Sequence, residues 1–155
     1  MPRTAARRSA PTSKRPPTPQ QKSAQWARTM VKVQITKVAT RRGWEIANFL
    51  GKGGRESRGI VDLLAIRKDH AHVEFPRGDL FEMILIQVKG GSSRWPTQEE
   101  VDRLRAVARR YHARDVVLGA RTVGRMPTFY RLTAANVLLS PRDPWEETDA
   151  HGLFR

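Results

Sequence analysis

The strongest apolar run in the chain, residues 60–66, is broken by a single carboxylate, Asp62. A run this short and this continuous reads as a strand buried on both faces, spanning Ile60 to Arg67. A second run rises from Leu80 through Met83-Ile84-Leu85-Ile86 and ends in Gln87-Val88-Lys89 before Gly90-Gly91. It reads as the next strand, with Pro76-Arg77-Gly78-Asp79 as the turn signal between them. Upstream, Ala24, Ala27, Val31, Ile35 and Val38 fall at spacings of three and four, with Trp26, Met30 and Val33 alongside. That spacing predicts an amphipathic helix from about Pro19 to Arg42, closed by Arg41-Arg42-Gly43. Trp44 to Leu50 reads as a short strand, and the glycine-rich stretch from Gly51 to Gly59 as a loop.

Beyond the second run, Pro96 and Thr97 announce a helix. Thr97 and Glu100 form the two halves of a capping box, and Val101, Leu104, Ala108 and Tyr111 make its apolar stripe. Asp115–Ala120 and Thr128–Leu132 read as two further strands. The order is α-β-β-β-α-β-β, without internal repeats, and implies an α/β domain built on one mixed central sheet flanked by helices. Residues 1–22 divide off as a basic arm, disordered over its first 18 residues, which mix Arg, Lys, Ser, Thr and Pro without apolar periodicity. Residues 23–139 form the domain, and 140–155 a peripheral C-terminal tail.

Composition narrows the function classes. A chain of 155 residues fits one domain with a core of its own. Cysteine is absent, which removes disulfides, thiolate zinc sites and cysteine nucleophiles, and fits a cytoplasmic protein. No apolar run approaches the ~20 residues of a membrane span, and the basic N-terminus lacks the apolar core of a signal peptide. Charge is placed unevenly: residues 1–58 hold 14 Lys/Arg and two acids, whereas residues 59–155 hold 15 and 13. A one-sided basic half is the footprint of a polyanion binder. A solubilising arm, or a surface for acidic lipid, would carry the same signature.

The candidate chemistry lies on the two central strands. Hydrolysis of a phosphodiester needs charge on the phosphoryl oxygens neutralised and a water activated, and a divalent cation serves both needs. Hard cations take oxygen ligands. Asp62 offers a carboxylate, Gln87 an amide oxygen and Val88 its backbone carbonyl, while Lys89 shares a strand face with Gln87 and can stabilise phosphorane charge. Lys52, Arg55 and Arg58 in the glycine-rich loop suit phosphate contact. Each residue also has a plainer reading: Asp62 as a turn cap or arginine partner, Lys89 as an exposed strand end, and the loop as a connector. The loop does not match a P-loop, so no small-molecule nucleotide cofactor is expected. Glu74 and Glu82 read as structural. The four histidines lack zinc-ligand spacing. Trp95, beside a Gly-Ser-rich stretch, suits either packing or stacking on a base.

With those residues in view, Gly59-Ile60-Val61-Asp62-Leu63-Leu64-Ala65 followed by Ile86-Gln87-Val88-Lys89-Gly90-Gly91 resembles the PD-(D/E)xK, restriction-endonuclease-like nuclease superfamily. Within it the chain is most similar to archaeal-type Holliday-junction resolvases. The resemblance implies an α-β-β-β-α-β core and a DNA endonuclease dependent on Mg²⁺ or Mn²⁺. It further implies branched DNA as substrate and a homodimer as the working form. Asp62 would be the motif aspartate, Lys89 the motif lysine and Gln87 the position of the second acid. Ser57 would match a phosphate-contacting serine, and Gln34 would stand in for the acid that resolvases carry on their first helix. The chain departs from the pattern at Val61 in place of Pro, at Gln87 in place of an acid, and in a first helix without any Asp or Glu. Two other readings follow from these departures and the basic arm. One is a catalytically inactive nuclease-fold protein that binds DNA. The other is an interaction domain whose arm contacts RNA or acidic lipid.

Overall fold

The computed structural model describes residues 16–49, 60–69, 80–91, 95–134 and 140–155. The chain forms helix α1 (Pro19–Arg41), strands β1 (Glu45–Asn48), β2 (Leu63–Lys68) and β3 (Phe81–Gly90), helix α2 (Gln98–Arg110), strands β4 (Asp115–Arg121), β5 (Thr128–Leu132) and β6 (Trp145–Thr148), and a short α3 (Ala150–Leu153). The six strands make one mixed sheet in chain order, β1-β2-β3-β4-β5-β6. Every neighbouring pair is antiparallel except β3 and β4, which run parallel and are joined across one face by α2. The fold is therefore a mixed α/β sheet with helices on both faces.

Each face buries its own cluster. Val31, Ile35 and Ala39 of α1 pack on Leu63, Ala65, Ile84, Ile86, Val117 and Phe129. Val101 and Leu104 of α2 pack on Leu85, Val116 and Leu118 from the other side. The buried residues of α1, Ala27, Val31, Ile35 and Ala39, recur every four positions, so the stripe drifts along the helix. Ala24, expected in that stripe, is exposed, and Trp26 and Val33 face outward. The capping box of α2 forms as expected: Glu100 N–H donates to Thr97 Oγ1 and Thr97 N–H to Glu100 Oε2.

Two glycines set how closely α1 lies on the sheet. A Cβ at Gly90 would collide with the methyl of Ala27, and one at Gly119 would press on Val31. These two bare positions, at the C-terminal halves of β3 and β4, let the first half of α1 sit directly on the strands. Arg28, next to Ala27, is brought to the sheet surface as a result.

α1 starts at Pro19, as its spacing predicts, with a second capping box built by Thr18 and Gln21, so the arm boundary at residue 22 falls inside the helix. The chain departs from the sequence expectation at the other end of the domain. Residues 140–155, expected at the periphery, supply β6 and α3. Trp145, Leu153 and Phe154 are buried in the two clusters. Arginines far away in sequence hold this segment: Arg114 donates to Leu153 O and Arg155 O, Arg67 to Arg155 O, and Arg131 to Gly152 O. Glu82 is structural, as expected, bridging Arg67 at 2.7 Å and Arg114 at 3.0 Å.

Candidate functional site

The strands carrying Asp62 and Gln87-Val88-Lys89 are neighbours. Leu63 pairs with Ile86 in the β2–β3 ladder, so continuing the register would set Asp62 against Gln87. Instead Asp62 N–H donates to Ile86 O at 2.9 Å, a one-residue slip of the kind a bulge introduces. The side-chain alternation breaks at the same place. Val61 belongs to the cluster on the α2 side and Leu63, two residues on, to the cluster on the α1 side, although such residues share a face in a regular strand. Asp62 therefore sits just before β2 rather than within it, free of either face. Its carboxylate lies near the plane of the sheet, where Oδ2 accepts from Val88 N–H at 2.7 Å. A side-chain oxygen thus takes the place of a ladder carbonyl, just before β2 begins and where β3 runs on beyond it.

Four charges cross the sheet here. Arg28 of α1 brings Nε to 3.3 Å from Asp62 Oδ1, yet Nε makes no hydrogen bond, so the contact is one of charge rather than of aligned donor and acceptor. Lys89 shares the α2 face of β3 with Met83 and Leu85, and its Nζ donates to Glu100 Oε1 at 2.7 Å. From one helix layer to the other the signs alternate: Arg28, Asp62, Lys89, Glu100. Burial, the largest influence, pushes the Asp62 carboxyl above the ordinary aspartate range, and the Val88 N–H and the charges of Arg28 and Lys89 only partly offset it. Glu100 falls below its ordinary value. Burial pushes it up, but the hydrogen bonds from Lys89 and Thr97 and the charges of Lys89 and Arg103 outweigh that.

The raised Asp62 carboxyl has a stability consequence with a definite sign. The folded state holds this proton more tightly than the unfolded chain, so stability falls as pH rises from the ordinary aspartate value through the raised one. At neutral pH the ionised Asp62 is a net cost. Asp62→Asn should match or exceed the parent in melting temperature at neutral pH, and that margin should shrink as pH falls through the raised value. Thermal unfolding between about pH 3 and pH 7 checks this. A variant that melts well below the parent at neutral pH would contradict it.

Gln87 is the one buried polar residue among those described, 4 % exposed, and its Oε1 has no hydrogen-bond partner. An orphaned buried amide oxygen is costly and rare, and it points to a ligand. Val88 turns its N–H toward β2, and in a strand the C=O of the same residue points to that same side. The oxygen donors here, Asp62, Gln87 Oε1 and the Val88 carbonyl, suit a hard divalent cation. Among the described residues no three acidic or histidine side chains gather at one point. A cation here would keep one carboxylate, Asp62, which is how Mg²⁺ is commonly held when substrate phosphate completes its shell.

Arg28 and Glu100 were not singled out by sequence. The signal for Glu100 was present: Lys89 alternates with the apolar positions that face α2, and the capping box fixes the first turn of α2 nearby. Gln34 is six residues from Arg28, roughly 120° around the helix, off the face that meets Asp62; its own Oε1 is buried and unpartnered. Lys52, Arg55, Ser57 and Arg58 lie outside the described residues.

A groove of about 810 Å³ runs along the outer face of α1 from Gln25 to Lys37 and is closed by Asn48 of β1. Arg28, Lys32 and Lys37 line it, and Lys32 Nζ donates to Asn48 Oδ1 at 3.3 Å. No acid occurs in α1. Arg28 belongs to both the groove and the Asp62 site, so a polyanion in the groove would lead to Asp62. Among the described residues no helix is long and apolar enough to cross a membrane. No protein-family model matches the chain, and no curated protein matches it.

Proposed function

We propose that this protein is a metal-dependent DNA endonuclease of the restriction-endonuclease-like fold. The observation that carries this reading is the 2.7 Å bond from Val88 N–H to Asp62 Oδ2. It joins the isolated acid to the β3 segment in which Gln87 and Lys89 flank Val88 along the chain and share the α2 face. The antiparallel β2–β3 pair, the helix packed before it and the α2 crossover into a parallel β4 supply the element order such a fold needs.

In this reading the cationic groove along α1 aligns one DNA strand by its phosphates. Asp62, Gln87 and the Val88 carbonyl would hold Mg²⁺ or Mn²⁺, while Glu100 stays on Lys89. The cation would supply Lewis acidity and a more acidic water. Lys89, fixed by Glu100, presents a localised positive charge to the phosphoryl oxygens as their charge grows. Arg28 neutralises Asp62 before substrate arrives and is positioned to turn to a phosphate afterwards.

The test is a panel of linear, flapped and four-way DNA incubated with Mg²⁺ or Mn²⁺, with Asp62→Ala beside the parent protein. Cleavage of at least one substrate, lost in the variant, is the expected result. Cleavage that survives the substitution would sink the assignment. The close Arg28–Asp62 pair and the amide at position 87 also favour a second reading, an inactive nuclease-fold protein that only binds DNA. Binding without cutting in either metal, with cutting appearing in Gln87→Glu, would select that reading.

A further inference from the structure

We infer that a second cavity, beside Lys89, receives one unpaired nucleotide of the DNA strand; this inference rests on the DNA reading above and names the form of DNA the site selects. The cavity lies at the C-terminal ends of the parallel strands β3 and β4, where open α/β sheets leave a crevice. Its walls include Lys89, Trp95, Arg121, Arg125, Tyr130 and Arg142, with no acidic residue among them. Its volume is about 350 Å³, near the small end of the roughly 300–1,000 Å³ typical of ligand cavities. One nucleotide fits such a space, whereas a stacked base pair does not.

The wall chemistry matches a nucleotide in both its parts. For phosphate there are three guanidinium groups, none of which forms an ion pair with another described residue. Arg121 has a buried Nε without a hydrogen-bond partner, an unmet donor that an anionic oxygen would satisfy. Its guanidinium stands 5.8 Å from the Trp26 ring, and that of Arg142 lies 5.2 Å from the Trp95 ring. Among the described residues both therefore meet aromatic rings rather than carboxylates. For the base there is a π wall: Trp95 and Tyr130 meet edge to face with centroids 4.7 Å apart. The β4–β5 hairpin beside it exposes Val123 (74 %) and Met126 (66 %), of which Met126 lines the cavity. Apolar side chains so exposed suit contact with unstacked bases. Cations interleaved with aromatic faces are the usual means of holding single strands. The same cavity opens at Lys89, so a nucleotide held here would set its neighbouring phosphodiester at the cleavage site.

The test measures binding without divalent cation, so that no cleavage intervenes. Fluorescence anisotropy would compare the full chain and an Arg125→Ser, Arg142→Ser double variant on three probes: a single strand of about 15 nucleotides, the same sequence as blunt duplex, and that duplex with one bulged nucleotide. Arg125 and Arg142 are exposed, and circular dichroism confirms that the variant folds. The single strand and the bulged duplex should bind more tightly than the blunt duplex. The double variant should lose about tenfold on those two probes and flatten the log affinity against log salt slope by about 1.4, two contacts at about 0.7 each. Its affinity for blunt duplex should change by less than about twofold. Equal binding of all three probes by the parent, or an equal loss on all three in the variant, would overturn the subsite and leave Asp62-dependent cleavage standing. No binding to any probe would overturn both readings.

Discussion

Lys89→Met is expected to lower the single-turnover cleavage rate by about 10²- to 10³-fold, the usual cost of removing one donor aimed at developing charge, while DNA affinity changes little. Lys89 lies two residues beyond the buried part of β3, and two features fix its ammonium. The strand alternation turns it toward α2, and Glu100 accepts from it at 2.7 Å. Glu100 is itself immobilised, because Oε2 is the capping acceptor for Thr97 N–H. The cation is therefore aimed before substrate binds, and methionine of similar length removes only the charge. Glu100→Gln should give a smaller loss, on the order of tenfold, since Lys89 keeps its charge but loses its anchor. A merely structural Lys89–Glu100 pair predicts something different. A partly exposed ion pair contributes at most about 1 kcal/mol, so stability would move slightly and the rate not at all. A rate within tenfold of the parent in Lys89→Met would remove Lys89 from the chemistry.

The parts of this molecule that were readable in advance are those written in local pattern. The limits of β5, the capping box of α2 and the closure of α1 at Arg42-Gly43 rest on side chains within a few residues of one another. That residues 60–67 and 80–89 hold strands follows from two short apolar runs, but it is the sheet that makes β2 and β3 neighbours. The detail of the site lies elsewhere. Residues 60–66 look uniformly strand-like, yet the pairing slips at Asp62 because its carboxylate, and not a backbone carbonyl, takes the Val88 N–H. No one-dimensional pattern encodes that exchange. Arg28 carries no signal of its own in the sequence, and its meeting with Asp62 depends on Gly90 and Gly119 letting α1 descend onto the strands. The segment 140–155 read as peripheral because its few apolar residues are scattered among Pro and acids. Its anchors are arginines 67, 114 and 131, up to 88 residues distant along the chain.

Phe154→Ala is expected to lower stability by about 3–5 kcal/mol, a large share of the roughly 5–15 kcal/mol that holds a domain together. Phe154 is fully buried, with its ring 5.7 Å from that of Trp44, and both lie in the cluster that α1 lays on the sheet through Ile35 and Ala39. Arg67 and Arg114 cover the Trp44 ring at 4.6 and 4.9 Å. The same two guanidinium groups donate to carbonyls of the segment that carries Phe154. Deleting the phenyl ring therefore opens a cavity at a point where the arginine bonds prevent the backbone from collapsing to fill it, which places the cost toward the upper end of the range. At about 2–4 °C per kcal/mol for a chain of this size, the melting temperature should drop by roughly 6–20 °C. Phe81→Ala is the matched control, because Phe81 is largely exposed and should shift stability by no more than about 0.5 kcal/mol. A Phe154→Ala variant as stable as Phe81→Ala would mean that β6 and α3 are not part of the core. Ile35 lies two turns along α1 from Arg28, so the cleavage rate per folded molecule should be preserved below the new melting temperature. Loss of fold without loss of chemistry separates this pole of the sheet from the one that carries Asp62 and Lys89.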